Sequence, residues 1–307
     1  MTTTECQVLF RPKTNGQRFL PEGPIALGPN RFSWVAIQHG QNSLIGSLNI
    51  YDCETGSNLQ HDLPGRPGFA LPTSTANQFI CGTNRTVGLY DIATREWTVL
   101  AEDVDGDVDD TIINDGVIHA GNVVFGCKDL QFAEAKAGLY LWRREDQALI
   151  QLDNKQTCSN GKAIIEQDGG LTLIDIDTPT KEVVSYSLDV SGGSLGQRTP
   201  VLDLTSLDMF PDGMILTPDE KSCIIAFYNP HDADNGEARQ YNLATGELEH
   251  TWLCPKAPQV TCPALVEVGG AVKLVLTTAV EHMSPTRQQT YANSGSLFVG
   301  DTDFKSL

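Results

Sequence analysis

The sequence has no apolar run near the roughly 20 residues that a membrane-spanning helix needs, and its eight cysteines include no C-x-x-C pair. Basic residues are few: 21 against 39 acidic ones, for a formal net charge of −18. A surface so negative repels a phosphate backbone, so nucleic acid is not expected as a partner, and no membrane partner is expected either. Histidine is scarce at six, with no two at zinc-motif spacing. The opening MTTTECQVLF lacks a basic segment followed by an apolar stretch, so no secretory signal is read there. Several cysteines lie in apolar, strand-like runs such as Phe79-Ile80-Cys81 and Ser222-Cys223-Ile224. They are read as reduced, mostly buried thiols of a cytoplasmic protein. The Asn84-Arg85-Thr86 sequon is then not expected to carry glycan. Helical periodicity is nearly absent, and only Phe132 to Lys136 reads as a turn of helix.

What is present is β-rich. Apolar runs of strand length recur at 32–37, 78–81, 117–125, 171–176, 223–227 and 272–277, bounded by Gly, Asn, Asp or Pro. Most are followed by an aromatic residue or Leu, then Asp or Asn, then a turn. The clearest copies are Tyr51-Asp52-Cys53-Glu54-Thr55-Gly56, Tyr90-Asp91-Ile92-Ala93-Thr94 and Tyr241-Asn242-Leu243-Ala244-Thr245-Gly246. Weaker ones begin at Leu139, Tyr186 and Ser296. A β-sandwich also has regular strands and turns, but copies spaced by roughly 40–60 residues match one four-stranded blade. The expectation is an all-β, six-bladed β-propeller with four-stranded antiparallel blades, as a single domain over 1–307.

Four polar residues beside glycine recur at that spacing, where an innermost strand would begin: Glu22 (Glu22-Gly23), Asn114 (Asn114-Asp115-Gly116), Asn160 (Asn160-Gly161) and Asp212 (Asp212-Gly213). Gly68 and Cys262 fall at the remaining two positions. Each Asx-Gly pair taken singly is a common turn former; together they read as residues converging on a propeller axis. Carboxylates from Glu22 and Asp212 with the amide oxygen of Asn160 make a hard, all-oxygen set for one divalent metal ion. Ca²⁺ is preferred, with Mg²⁺, Mn²⁺ or Zn²⁺ as alternatives.

These motifs, in this order, resemble the SMP-30/gluconolactonase/regucalcin-like lactonases over nearly the whole chain. The similarity lies in Glu22-Gly23-Pro24, in Asn114-Asp115-Gly116 with the strand to Gly126, in Ser159-Asn160-Gly161, and in Pro211-Asp212-Gly213-Met214 followed by Tyr228-Asn229. The resemblance implies that Glu22, Asn160 and Asp212 bind the metal and that Asn114 faces the substrate. It further implies metal-activated water opening a lactone ring, Asp212 as general base, and Asn114 helping the metal to stabilise the oxyanion. Three departures mark the substrate wall. Ile112 stands where members acting on sugar lactones carry Arg, Ala26 where an aromatic is common, and Gly126-Cys127-Lys128 where Gly-Thr-Met is common. Lys128 and Glu134 are candidate wall residues, and gluconolactone is doubted as the substrate.

Other signals are weaker. Gly192-Gly193-Ser194-Leu195-Gly196 fits the serine-hydrolase pattern but sits in a Ser/Gly-rich segment read as a mobile loop. The acidic run Asp103–Asp110 lacks an EF-hand's Gly position and closing Glu, and reads as a solvated loop. Asp232 to Gly236 reads as a further loop, and His39, His231 and His282 as isolated histidines. The reading is a metal-dependent lactonase for a small cyclic ester, monomeric or a weak homodimer. The alternative is a non-catalytic propeller that binds a metal or small molecule.

Overall fold

Each short apolar run becomes a strand of an antiparallel sheet, and six such sheets of four principal strands succeed one another as the blades of a β-propeller. The computed structural model describes residues 2–307. Among them the only α-helix is Pro285–Thr290, whose N-cap Ser284 accepts from Arg287 N at 3.2 Å. All eight cysteines are free, and only Cys53 is not fully buried.

The turn signature lies between the third and fourth strands of its blades, and the side chain of its Asp or Asn explains it. Asp52 Oδ1 accepts from Thr55 N at 2.8 Å, Asp91 Oδ1 from Thr94 N at 2.9 Å, and Asn242 Oδ1 from Thr245 N at 3.1 Å. An acceptor that holds the amide three residues on closes the turn locally.

The chain divides into two compact units, Met1–Ala70 with Asp208–Leu307, and Leu71–Leu207. In the first unit, complete blades span 21–62, 210–255 and 260–301. The last takes its outermost strand from Gln7–Phe10, which pairs with Leu297–Asp301. Thr2–Glu5 adds in parallel to the outer edge of the 210–255 blade. Its cores are formed by Ile224, Trp252, Leu274 and Phe298, and by Phe32, Trp34, Val266 and Val275, all essentially inaccessible. At about 1.5–3 kcal/mol per buried side chain, such clusters drive sheet stacking. In the second unit, blades span 111–156 and 159–203 around Val124, Leu139, Leu141, Leu173 and Leu188. The remaining blade begins with Pro67–Pro72, the strand in which the unit boundary falls.

Four local expectations are corrected. Phe132–Lys136 is not helical, because Asp129 captures the N–H groups of Gln131, Ala133 and Glu134 and draws the segment into a loop. The run 117–125 is a hairpin and not one strand: Ala120 and Gly121, at φ 48° and 82°, turn it between Thr111–His119 and Asn122–Asp129. The 103–110 segment is anchored and not simply solvated. Asp105 is buried and accepts from Tyr140 Oη at 2.7 Å and Gly138 N at 3.1 Å, while Arg85 donates to the carbonyls of Asp105 and Val108. Ser194–Leu195 is a short strand paired with Leu188 and Asp189, and no helix follows it to make a nucleophile elbow.

Candidate functional site

The candidate residues share one local device. In each blade that carries one, the first strand loses register at that point. The shifts fall between Glu22 and Ile25, Ile113 and Gly116, Asn160 and Lys162, Pro211 and Met214, and Val260 and Pro263, the last spanning Cys262. The Asx-Gly pairs are therefore β-bulges inside first strands. A bulge leaves its extra residue unpaired and re-aims the side chain, which is why bulges concentrate beside functional sites.

In the first unit, the strand Val260–Val268 lies against both Pro21–Ala26 and Phe210–Leu216. Thr261 Oγ1 donates to Pro21 O at 2.7 Å, fixing the backbone that introduces Glu22. A Cβ on Gly213 would meet Cys262 Sγ at 2.5 Å, so only glycine lets the bulge after Asp212 pack that closely. Asp212 is 8% exposed. Glu22 is half-buried, and its Oε2 accepts from Gly23 N at 3.0 Å. The Tyr228 phenol is pushed well up, first by burial and then by the charges of Glu281 and Asp212. Towards their other ends these strands line an apolar cavity of about 310 Å³ with Ile25, Ile215, Leu216, Ala264 and Leu265. The candidate polar residues of this unit, Glu22 and Asp212, thus lie toward the N-terminal ends of their first strands.

In the second unit, Asn114 and Asn160 are joined directly. Asn114 Nδ2 donates to Asn160 Oδ1 at 2.8 Å and to Ser159 O at 2.7 Å. Asn160 Nδ2 donates in turn to Thr178 Oγ1 at 2.8 Å. The Ser159 carbonyl can only accept, which identifies Asn114 Nδ2 as the donor and hence the Asn160 atom facing it as the acceptor Oδ1. Both Nδ2 protons of Asn114 are committed, so the atom it can offer outward is its Oδ1. Ile112 is buried and pairs across the sheet with the half-buried Lys128, whose Nζ lies 5.7 Å from the Phe132 ring centroid. Glu134 is exposed on the loop that Asp129 gathers.

Sequence reasoning missed the group behind this pair. The Lys162 side chain is inaccessible; its Nζ lies 3.0 Å from Asp175 Oδ1 and donates to Ser159 Oγ at 2.6 Å and Asn160 O at 2.7 Å. The available signal was a lysine at the head of an otherwise apolar strand run, Lys162-Ala163-Ile164-Ile165. Desolvation pushes the nearby Asp115 carboxyl up, and the charge of Lys162 opposes it.

Residue by residue the chemistry suits a hard divalent cation: carboxylates at Glu22 and Asp212 in the first unit, and in the second an Asn160 amide whose oxygen end follows from the Asn114 and Ser159 hydrogen bonds. Among the described residues no group of three or more His, Cys, Asp or Glu is placed to hold a metal. A cation would therefore need an amide oxygen beside carboxylates.

Comparisons with known proteins agree with the fold and the family resemblance. A family model described as the SMP-30/gluconolactonase/LRE-like region matches residues 20–280. A putative sugar lactone lactonase, YvrE of Bacillus subtilis strain 168, is 28% identical over 182 residues, covering 58% of this chain and 57% of that relative's length. Among solved structures, the calcium-binding protein regucalcin of Agrobacterium tumefaciens strain C58 superposes with a TM-score of 0.81 at 20% identity, over 97% of this chain and 95% of that one. A luciferin-regenerating enzyme gives 0.80 at 16% identity, over 97% and 96%.

Proposed function

We propose, on the premise that the chain belongs to the SMP-30/gluconolactonase/LRE-like family, that it is a metal-dependent lactonase hydrolysing a small cyclic ester. The proposed metal donors are the carboxylates of Glu22 and Asp212 and Oδ1 of Asn160. Ca²⁺ is the preferred cation, with Mg²⁺, Mn²⁺ and Zn²⁺ as alternatives. When bound, such a cation supplies Lewis acidity toward the lactone carbonyl and acidifies the attacking water.

This chain's own groups do the rest. Asp212 accepts the proton of the attacking water as general base. Asn114 orients that water, or a substrate hydroxyl, through its Oδ1. Its committed Nδ2 protons argue against the oxyanion role expected from the sequence. Ile112, in the place of an arginine, favours a lactone with fewer hydroxyls than gluconolactone, with Lys128 and Glu134 as wall residues. The protein is read as cytoplasmic, in keeping with its eight free thiols.

The observation that carries the proposal is the fixed amide pair Asn114–Asn160 at first-strand bulges, within a family match that also covers Glu22 and Asp212. A pH-indicator screen of aliphatic, aromatic and sugar lactones, with and without chelator, tests it. Acid release that stops with EDTA and returns with one cation supports the enzyme. Tight cation binding without turnover on any lactone favours a binding protein instead.

A further inference from the structure

The buried lysine behind the amide pair has no part in the chemistry above, and stability alone does not explain it. Replacing a buried ion pair by apolar residues of similar volume is often neutral or stabilising. A fully inaccessible ammonium facing a carboxylate is therefore weak evidence for a stabilising role, and what else it touches decides its meaning.

Lys162 and Asp175 are direct cross-strand partners, and the register shift that creates the bulge lies between Asn160 and Lys162. The ammonium has three protons and three oxygen neighbours: Asp175 Oδ1 at 3.0 Å, Ser159 Oγ at 2.6 Å and Asn160 O at 2.7 Å. Two of the three belong to Ser159 and Asn160, the residues that lead into the bulge. Asp175 is itself held, because Gln156 Nε2 donates to its Oδ2 at 2.5 Å. Gly126 packs close against Ser159, since a Cβ there would fall 1.9 Å from its Oγ. Ser159 O and Asn160 Oδ1 are in turn the two acceptors of Asn114. A continuous series of contacts thus runs from Gln156 through Asp175 and Lys162 to the peptide that presents Asn160, and on to Asn114.

We infer that Lys162 is a positioning residue, which from its salt bridge to Asp175 holds the Ser159–Asn160 segment at the bulge so that the Asn160 amide oxygen is presented for the cation and the Asn114 amide for the substrate. The inference rests on the metal-dependent reading above. One of the three contacts holds the Asn160 carbonyl and another the neighbouring Ser159 hydroxyl, so the backbone from which the Asn160 side chain leaves is fixed without an exposed charge near the ligand.

The test is cation titration by calorimetry into chelator-stripped protein, with Ca²⁺ and then Mg²⁺, Mn²⁺ and Zn²⁺. The informative variant is K162M/D175N, which removes both charges together and keeps an acceptor for Gln156. With its thermal midpoint within a few degrees of wild type, the expected result is cation affinity weaker by about 10-fold or more, the range typical for groups that orient ligands. Wild-type affinity in the folded double variant overturns the inference while leaving the metal reading intact. Wild-type protein that binds none of the four cations overturns the metal reading and this inference with it. If the double variant does not fold, K162R answers the same question. It keeps the charge but cannot place a single nitrogen between Ser159 Oγ and Asn160 O. Weaker binding supports the inference, and unchanged binding overturns it.

Discussion

Asn114 and Asn160 face each other across two first strands, with Nδ2 of one donating to Oδ1 of the other at 2.8 Å. Groups joined in this way act as a unit, so their removals should not add. Asn114→Ala and Asn160→Ala, alone and combined, should give a coupling of about 0.5–3 kcal/mol in kcat/KM. Strictly additive losses would show that each amide works alone.

Asp212→Ala should abolish lactone turnover and leave the fold intact. Asp212 lies in a bulge, outside the aromatic and aliphatic clusters between sheets. Circular dichroism and the melting midpoint should match wild type within a few degrees. Full activity in this variant would remove the general base from the mechanism.

Gly213→Ala should destabilise by about 1–3 kcal/mol, the usual effect of forcing a methyl into a filled site. The new Cβ would meet Cys262 Sγ at 2.5 Å and Cβ at 2.7 Å. Chemical denaturation measures the change, and a neutral result would mean that the bulge can relax away from its neighbour.

Asp129 sets a pH dependence. Burial works to raise its carboxyl, but the N–H groups of Ala133, Gln131 and Glu134 together with Lys136 outweigh it and hold the value at about 2, below the 3.8 of a free side chain. The folded state therefore binds fewer protons than the unfolded one in this window, and the contribution is complete above about pH 4. It is lost as the pH falls toward 2. The stability gap between wild type and Asp129→Asn should be constant from pH 5 to 7 and narrow on acidification. A gap unchanged at pH 2.5 would contradict the assignment.

The thiols should be slow to react. Cys53 is the one cysteine not fully buried, and burial followed by the charge of Asp52 pushes its thiol up to about 11. Ellman's reagent at pH 7.5 should label Cys53 first and slowly, and should reach eight equivalents only on denaturation. Rapid labelling of several thiols in the native state would count against the core described here.

The features legible in the sequence were those made by neighbours in the chain. The Tyr-Asp and Tyr-Asn signature could be read because Asp52, Asp91 and Asn242 hydrogen-bond residues three positions on. The spacing of those copies then carried the six-bladed fold. Bulges were not legible, since Asn114-Asp115-Gly116 spells a turn equally well, and only pairing with the strand Asn122–Asp129 decides. Phe132–Lys136 has helix-forming Ala, Glu and Lys, but Asp129 takes the amides a helix would have used in its first turn.

Among the candidate residues, Glu22, Asn114, Asn160 and Asp212 stood out because each is polar and within two positions of a glycine. Lys162 did not, because its meaning depends on Asp175, its partner on the next strand. A lone lysine at a strand start reads as solvated until the opposite residue is known.

The most direct measurement is anomalous diffraction from crystals of the wild-type protein soaked in Mn²⁺. One peak within about 2.0–2.6 Å of oxygens from Glu22, Asn160 and Asp212 is the expected result. Density for these three side chains with no common peak, or with the peak on other residues, would contradict the proposed centre.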